Sequence, residues 1–432
     1  MSSSNPISVA ATNSAALPPD SETKRIISLD FVRGVAMLLM AIDHVRVYSG
    51  LPAGGPTPGI FFTRWITHFV APAFVFLAGT SIFLHGRKLA NRAALSRFLL
   101  IRGAWLILLE LTILRIAWTF NFDFAHYLLA GVIWMLGWCM IIMAGLVYLP
   151  VWVNATAGVA IIALHNLTDV FSGPLQRAFG ADGPNWFLNI LYFGTGSEVK
   201  IGGAGPPLII LFVIVPWIGV MMAGYAFGSL MSMPSARRRT VCLRLGVAVT
   251  LLFIILRAVN VYGDPRPWRR PPPVQSAAIQ TAGPPAPSAR PARPAMPTAL
   301  SFLNTTKYPA SLLFLLMTLG PMFILLSFAE GWRGSVAQVI ATFGRVPMFY
   351  YLLHIPLIHF AACVVSLIRE GHINSWLFAN HPMAVGPAPA GYTWSLALLY
   401  LVYVICVTLL YIPCRWYARL RATRKSKWLT YL

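Results

Sequence analysis

Charged residues are scarce in this sequence of 432 amino acids, and acidic residues are the scarcest. Only 10% of the residues are charged, with 12 Asp and Glu against 33 Lys and Arg, while 57% are apolar. A soluble domain is about one quarter charged. The composition therefore excludes a soluble protein. It predicts an all-α fold, a polytopic transmembrane bundle of about ten helices.

Cysteine is rare as well, and all five cysteines lie in or beside apolar stretches, at positions 139, 242, 363, 406 and 414. We interpret them as small buried hydrophobic residues, which excludes a disulfide framework and a metal cluster. The histidines show neither HxxxH nor HExxH spacing, so no metal site is predicted. The chain also lacks a tandem repeat, a heptad run and a nucleotide-binding Gly-rich loop.

The excess of basic residues gives a formal net charge of +21. Such a charge would suggest nucleic acid binding, but here the basic residues cluster beside apolar stretches. In that position they set membrane topology and contact anionic lipid headgroups. The lipid bilayer is therefore the expected partner, and nucleic acid is not.

Windows of about 20 apolar residues predict ten membrane spans. Basic residues flank these spans at 24–25, 87–97, 237–239 and 415–427, and with ten spans all four groups lie on one side. By the positive-inside rule, both termini are expected in the cytoplasm and the protein in the inner (cytoplasmic) membrane of the cell. The predicted spans are 29–48, 60–85, 99–119, 127–148, 151–168, 207–231, 241–262, 309–328, 346–368 and 393–413.

Three segments outside the spans have their own composition. Residues 1–24 are polar and rich in Ser, Ala and Pro, which predicts a disordered cytoplasmic N-terminus. Residues 264–308 form a Pro-rich loop that is expected on the extracytoplasmic side despite its arginines, because long loops translocate largely regardless of charge. The loop 169–206 contains the run NWFLNILYF, which favours a short interfacial helix.

The first span has polar residues near both ends of its apolar run. On a helix, Asp30, Arg33 and His44 lie on one stripe, with Asp30 and His44 about 21 Å apart. Ionisable groups are costly in lipid and face a protein interior or an aqueous cavity. A buried, charge-paired packing helix is the alternative interpretation.

Five helices place polar residues at one level in the outer half of the membrane, which predicts a site there. His44 is the leading candidate for proton transfer and His68 the second, with Asp43 and Glu110 as candidate catalytic carboxylates. Cationic and polar residues at this level are predicted to bind the substrate, as an anionic or hydroxyl-rich acceptor or as an oxyanion. They are Arg46, Arg64, Arg115, Arg257, Asn260, Lys307, Tyr308 and His354.

Several of these residues also have simpler interpretations. His68 and His354 are typical of hydrogen-bonded interior histidines as well, and Arg46 can extend to the lipid headgroups. Glu110 and Arg115 can form one buried structural pair. The whole set suits acyl transfer to an alcohol or amine, and it suits a proton-coupled transporter equally. A transporter would be expected to show paired halves with matched broken helices, and no clear internal repeat is present.

Two stretches, RIISLDFVRGVAMLLMAIDHVR and RWITHFVAPAFVFLAGTSIFL, resemble the membrane acyltransferases related to heparan-alpha-glucosaminide N-acetyltransferase, and more closely the bacterial relatives of that enzyme. The SLDxxRG opening is also similar to that of the broader membrane O-acyltransferases. Further matching stretches, in the same order, are PWIGVMMAGYAFG, LRAVNVYGDPRPW, FLNTTKYPASLLFLLMTLGP, FGRVPMFYYLLHIPLIH and YIPCRWYARLRATRKSKWLTYL.

The resemblance implies that residues 25–432 form a transmembrane acyltransferase-like domain. It implies acetyl-CoA or another acyl-CoA as cytosolic co-substrate, no tightly bound cofactor, and an amino sugar as acceptor on the far side of the membrane. His44 stands where the lysosomal enzyme's pattern has an amide, His68 stands where it has an acidic residue, and the loop 49–59 has no histidine. His44 and His68 are thus proposed from their depth and chemistry alone.

Together these features predict a membrane-embedded acyltransferase that moves an acyl group, acetyl above all, from cytosolic acyl-CoA to an extracytoplasmic sugar or glycolipid. A transporter or flippase for a small polar or glycolipid substrate is the alternative. A homodimer is compatible with the sequence.

Overall fold

The computed structural model describes residues 26–424 except 56, 127, 170–185, 201–204, 269–296, 380 and 383–387. The predicted disordered N-terminus and most of the Pro-rich loop lie outside the described residues, as does the end of the basic C-terminal tail.

Eleven main helices make up the described part of the chain. They are α1 (Ile27–Ser49), α2 (Pro58–Gly86), α3 (92–119), α4 (Val132–Leu146), α5 (Val151–Asp169), α6 (Val215–Ser232), α7 (Ser235–Val259), α8 (Leu312–Ala329), α9 (Ser335–Arg345), α10 (Pro347–Glu370) and α11 (Leu396–Thr423). Each of the ten predicted spans overlaps one of these helices, and α9 is additional. Shorter helical turns cover Trp186–Leu188, Asn189–Phe193, Thr298–Leu303 and Ser375–Phe378.

Among the described residues, seven helices are long enough and apolar enough to cross a membrane: α2, α5, α6, α7, α8, α10 and α11. Of the other three that match predicted spans, α4 is short, with 15 residues, and α1 and α3 contain ionisable residues. Those of α1 lie inside the bundle, where Asp30 and Arg46 are buried. The predicted fold class, an all-helical membrane bundle, is confirmed.

Contacts between helix ends define a basic end of the bundle. Glu330, at the end of α8, accepts hydrogen bonds from Ser28 at the start of α1 and from Arg238 in the first turn of α7. Arg421 in the last turn of α11 donates to the carbonyl oxygen of Arg345, which ends α9. Arg238, Arg345 and Arg421 therefore lie at one end of the bundle.

A small sheet lies near the other end. Strand β1 (Leu128–Ala130) and strand β2 (Glu198–Lys200) both pair with strand β3 (Pro207–Ile210), β1 in parallel and β2 antiparallel. The predicted spans 127–148 and 207–231 thus each begin with a strand rather than a helix. Hydropathy could not separate the two, because a short apolar run suits either conformation.

Glycines let the helices approach closely. A Cβ on Gly34 of α1 would collide with the carbonyl oxygen of Ile340 in α9, and a Cβ on Gly344 would collide with that of Asp30. In lipid no hydrophobic driving force acts between helices, so their association depends on van der Waals packing. Small residues at such crossings allow the backbones to approach closely enough for that packing. Glycines also face the opposite helix closely where α2 crosses α6 (Gly79 and Gly224), where α3 crosses α4 (Gly103 and Gly137) and where α7 crosses α8 (Gly246 and Gly320).

Two helices change their winding beside the ionisable residues. In α2, a 3₁₀ turn at Ile66–Phe69 precedes Pro72, which cannot donate to the carbonyl oxygen of His68. In α3, a π-helical turn covers Glu110–Leu114. Such π turns occur frequently at functional sites, because they re-aim side chains from an otherwise regular helix.

Candidate active site

A cavity of about 190 Å³ lies between α1, α2, α3, α4, α10 and the segment that precedes α8. We call it the histidine cavity. Its polar lining residues are Asp43, His44, Arg46, Arg64, Thr67, Glu110, Lys307, Tyr308 and Tyr351. Seven of these were predicted as site residues, and the helices bring them to one level as the sequence suggested.

Asp43 binds two arginines in this cavity. Its Oδ1 lies 2.9 Å from Nε of Arg46, one turn along α1, and its Oδ2 lies 2.5 Å from Nη1 of Arg64 in α2. Arg46 also donates to the carbonyl oxygen of Leu51, and Arg64 to the hydroxyl of Thr67. Both arginine side chains are therefore fixed inside the bundle, and Arg46 does not extend to headgroups.

His44 pairs with a second histidine behind it. Its Nδ1 lies 2.7 Å from Nε2 of His354 in α10. Nδ1 of His354 lies 2.7 Å from the carbonyl oxygen of Tyr351 and 3.1 Å from that of Tyr350. A carbonyl oxygen only accepts, so Nδ1 of His354 holds the proton when the ring is neutral, and its Nε2 accepts from His44. The geometry thus assigns the proton of neutral His44 to Nδ1 and leaves its Nε2 as a base.

Glu110 contacts the start of α4. One of its carboxylate oxygens accepts hydrogen bonds from the backbone N–H groups of Ile133, at 2.9 Å, and Trp134, at 3.2 Å. A Cβ at Gly131 would lie 2.6 Å from this carboxylate, so glycine leaves room for it. The alternative of a Glu110–Arg115 pair is not what the structure shows. Glu110 thus lines the cavity and also accepts hydrogen bonds from N–H groups in the first turn of α4, which have no partner within the helix.

Lys307 and Tyr308 reach the cavity from the segment between α7 and α8. Asp264 fixes this segment, accepting from the backbone N–H of Thr306 at 2.8 Å and from the hydroxyl of Ser311 at 3.0 Å. The Tyr308 hydroxyl interacts with both Lys307 and Arg64. Burial raises the pKa of Tyr308, but these two cations outweigh burial and lower it below its usual value.

Three predicted substrate-binding residues lie elsewhere and stabilise chain segments. Arg115 donates to Asn121, in the segment after α3. Arg257 donates to the carbonyl oxygens of Phe302, Ser301 and Asn304, and Asn260 accepts from the backbone N–H of Trp268. The sequence alone could not show that the adjoining segments supply the partners of these residues.

His68 and His354 do not line the cavity. The ring of His68 packs edge-on against Phe314 at 5.4 Å, and its Nδ1 has no hydrogen-bond partner among the described residues. His354 is fully buried and contacts two residues that line the cavity, His44 and Tyr351.

A second cavity of about 300 Å³ lies toward the basic end. We call it the arginine cavity, because Arg33, Arg102, Arg345 and Arg421 line it together with His85. The carboxylate of Asp30 lies 3.3 Å from Nη1 of Arg33 and 4.0 Å from Nε of Arg345. In the sequence, Arg421 was only a topology signal and Arg33 only part of the polar stripe of α1, so this site was not predicted.

One layer of side chains separates the two cavities. Phe74, Ile133, Leu136 and Tyr351 line both of them. Tyr351 lies one turn before His354 in α10, and its ring centroid is 6.4 Å from that of His44. In the sequence, the position of Tyr351 one turn from the candidate His354 was the only indication that it belongs to the site.

Residues 25–258, more than half of the chain, match the family described as heparan-alpha-glucosaminide N-acetyltransferase, catalytic. The chain belongs to this family. It is therefore a multi-pass membrane protein of an acyltransferase family, as the sequence resemblance suggested. No curated protein matches the chain.

The heparan-alpha-glucosaminide N-acetyltransferase match includes Asp43, His44, Arg64 and Glu110 and ends before the residues that complete the site. Tertiary packing brings the later residues to the matched ones. They are Lys307, Tyr308, Tyr351 and His354.

Proposed function

We propose that this protein transfers an acyl group, acetyl above all, from cytosolic acyl-CoA to an amine or hydroxyl of an extracytoplasmic sugar or glycolipid. The observation that carries the proposal is the shared wall. A basic cavity and a cavity with a histidine base meet end to end inside the bundle, with four side chains between them. A donor and an acceptor can thus enter from opposite ends and react at the wall.

The arginine cavity suits the donor. Coenzyme A carries a pyrophosphate and a third phosphate on its nucleotide, and arginine is well suited to bind phosphate because its planar fork donates two parallel hydrogen bonds. The apolar residues of the shared wall, Phe74, Ile133 and Leu136, suit the pantetheine arm and the thioester. Acyl-CoA is a substrate here and not a resident cofactor.

The histidine cavity suits the acceptor. Nε2 of His44 takes the proton from the attacking amine or hydroxyl while its nitrogen or oxygen bonds to the thioester carbon. The carbon–sulfur bond then breaks, and the proton passes to the departing thiolate. Tyr351 lines both cavities and is placed to donate a hydrogen bond to the thioester oxygen as negative charge develops on it.

We propose further that the basic end faces the cytoplasm of a cell whose inner membrane holds the protein. The positive-inside rule supports this orientation, which places both termini in the cytoplasm. Single-cysteine variants at two exposed positions test it, since the five native cysteines are buried. An impermeant maleimide on intact cells should label Ala125→Cys and not Ala236→Cys, and the opposite pattern would reverse the orientation.

The decisive experiment uses sealed vesicles that contain the protein in one orientation. Vesicles are loaded with acetyl-labelled acetyl-CoA at the basic end, and glucosamine or a glycolipid is supplied at the other. The label should appear on the acceptor outside while coenzyme A stays inside. If no acceptor is acylated, but glucosamine that carries its own isotope label crosses the membrane in a parallel experiment, the transporter alternative replaces the acyltransferase.

A further inference from the structure

Two arginines lie on the outer face of α7, away from both cavities. Arg244 is exposed, and so are Arg237, two turns before it, and Val247 and Leu251 after it. Steps of three, four and seven positions separate these residues, which places them on one side of the helix. The opposite side packs against α8, where a Cβ on Gly246 would meet the backbone of that helix.

Neither Arg237 nor Arg244 has a side-chain hydrogen bond or ion pair with the residues that the structure describes. α7 contains no acidic residue in its 25 positions. Arg238, between them in sequence, turns inward instead and donates to both carboxylate oxygens of Glu330. The two outward arginines therefore keep their full positive charge on the surface of the bundle.

Arg244 lies deeper in the membrane than a topology signal requires. With 25 residues, α7 is about 36 Å long, while the hydrocarbon core of a bilayer is about 30 Å thick. Measured back from Val259, the end of α7, the hydrocarbon boundary falls near Arg239. The Cα of Arg244 is then about 7 Å inside the boundary. An arginine that faces lipid at this depth is costly unless its guanidinium reaches the interface.

The phosphate of a phospholipid supplies the partner that this face lacks. A guanidinium donates two parallel hydrogen bonds to phosphate oxygens, and Arg237 and Arg244 are about 10 Å apart along the helix, so both can extend to one phosphate between them. Beyond Arg244, the exposed side chains of Val247, Leu251 and Ile255 form an apolar strip. An acyl chain can follow that strip from a phosphate held at the arginines.

We propose that α7 binds an anionic phospholipid of the leaflet at the basic end, with its phosphate between Arg237 and Arg244 and one acyl chain along Val247, Leu251 and Ile255. Two positive charges favour an anionic lipid over a zwitterionic one, whose own cation offsets its phosphate. The bound lipid fixes the depth of α7 in the membrane. This site is independent of the proposed acyl transfer.

The test measures lipid binding to the purified full-length protein in dodecyl maltoside. Native mass spectrometry counts the molecules of dioleoylphosphatidylglycerol or dioleoylphosphatidylcholine that the protein keeps. The first phosphatidylglycerol should bind about 10-fold more tightly than phosphatidylcholine, since hydrogen bonds and ion pairs with a net charge are the stronger ones. The preference should weaken as ammonium acetate is added. Glycerol 3-phosphate, which has the phosphate without the chains, should not displace the lipid at the same concentration.

Four variants locate the preference. Arg244→Leu should abolish it and Arg244→Lys should keep most of it, because lysine retains the charge. Arg239→Gln is the matched control, since it removes an exposed arginine from the same end of α7 but from a different side of the helix. Leucine suits a position that faces lipid, so Arg244→Leu should fold, and its melting temperature is recorded. Should it fold poorly, Arg237→Gln tests the same site.

The contrary outcomes are distinct. Equal affinity for the two lipids overturns the proposal, as does a preference that survives both Arg244→Leu and Arg237→Gln or falls equally in Arg239→Gln. Displacement by glycerol 3-phosphate would show a simple anion site. Light scattering tests the other occupant of this face: a wild-type dimer that Arg244→Leu converts to a monomer, without a lipid preference, would show that a second copy covers it. None of these readouts depends on acyl transfer.

Discussion

Nδ1 of His44 lies 2.7 Å from Nε2 of His354, and the two rings, at 4.8 Å between centroids, are close to parallel. One histidine faces a cavity and the other is fully buried behind it, against two backbone carbonyl oxygens. In many hydrolases a carboxylate fixes the tautomer of the catalytic histidine. Here a second histidine, His354 of α10, takes the place of that carboxylate.

The first prediction concerns the base. His44→Ala should lower the turnover of acyl transfer by about 10²–10⁴-fold, because general-base catalysis typically contributes that much. His354→Leu should cost less, on the order of 10-fold, since it removes one neutral hydrogen bond and leaves His44 free to change tautomer. Turnover is measured with labelled acetyl-CoA, and protein level and melting temperature are recorded for each variant.

Two controls accompany this prediction. His354→Gln supplies an amide oxygen as acceptor and should recover part of the loss of His354→Leu. His126→Ala removes an exposed histidine and should be neutral, because its surface ion pair with Asp123 contributes little. Full activity in both His44→Ala and His354→Leu would place the proton transfer elsewhere, with His68 the next candidate.

The second prediction concerns the donor cavity. Arg345→Gln should raise the KM for acetyl-CoA about 10-fold, because it removes a charged donor to phosphate. The KM for S-acetylpantetheine, which lacks the nucleotide phosphates, should not change. Arg419→Gln alters an exposed arginine at the same end of the bundle and is the matched control. Equal effects on both donors would show that Arg345 does not bind the nucleotide.

The third prediction distinguishes two roles of Glu110. Glu110→Gln keeps an oxygen that accepts from the N–H groups of Ile133 and Trp134, so the melting temperature in detergent should stay near that of the wild type. Glu110→Ala leaves both groups unpaired in a buried site and should cost about 2 kcal/mol or more. If Glu110→Gln loses turnover without losing stability, the carboxylate takes part in catalysis.

The fourth prediction concerns the crossing of α1 and α9. Gly344→Ala places a Cβ against the carbonyl oxygen of Asp30, where the backbone of α1 cannot easily yield. We expect a loss of about 1–3 kcal/mol, as for an overpacked core, and less folded protein after purification. Gly145→Ala is the control, because its Cβ would meet nothing within 4 Å. A Gly344→Ala variant as stable as the wild type would show that the two helices can separate.

The sequence predicted the helices well because membrane insertion depends on local hydropathy. Each predicted span overlaps a helix, and the ionisable stripe of α1 faces the bundle, where Arg33 contacts Asp30. Depth along a helix is also a local property, since it follows from position within the apolar run. Asp43, His44, Arg46 and Arg64 could therefore be placed at one level without a structure.

Which of these groups share a cavity was decided by the tertiary structure alone. Arg257 and His44 have similar depths, but Arg257 is held by backbone carbonyl oxygens of the segment before α8, while His44 pairs with a residue 310 positions later. Arg421, one of the basic residues that orient the chain, also lines the arginine cavity, and hydropathy cannot distinguish the two uses. A cavity is bounded by side chains from helices distant in sequence, and only the close packing of those helices at their glycines determines which side chains meet.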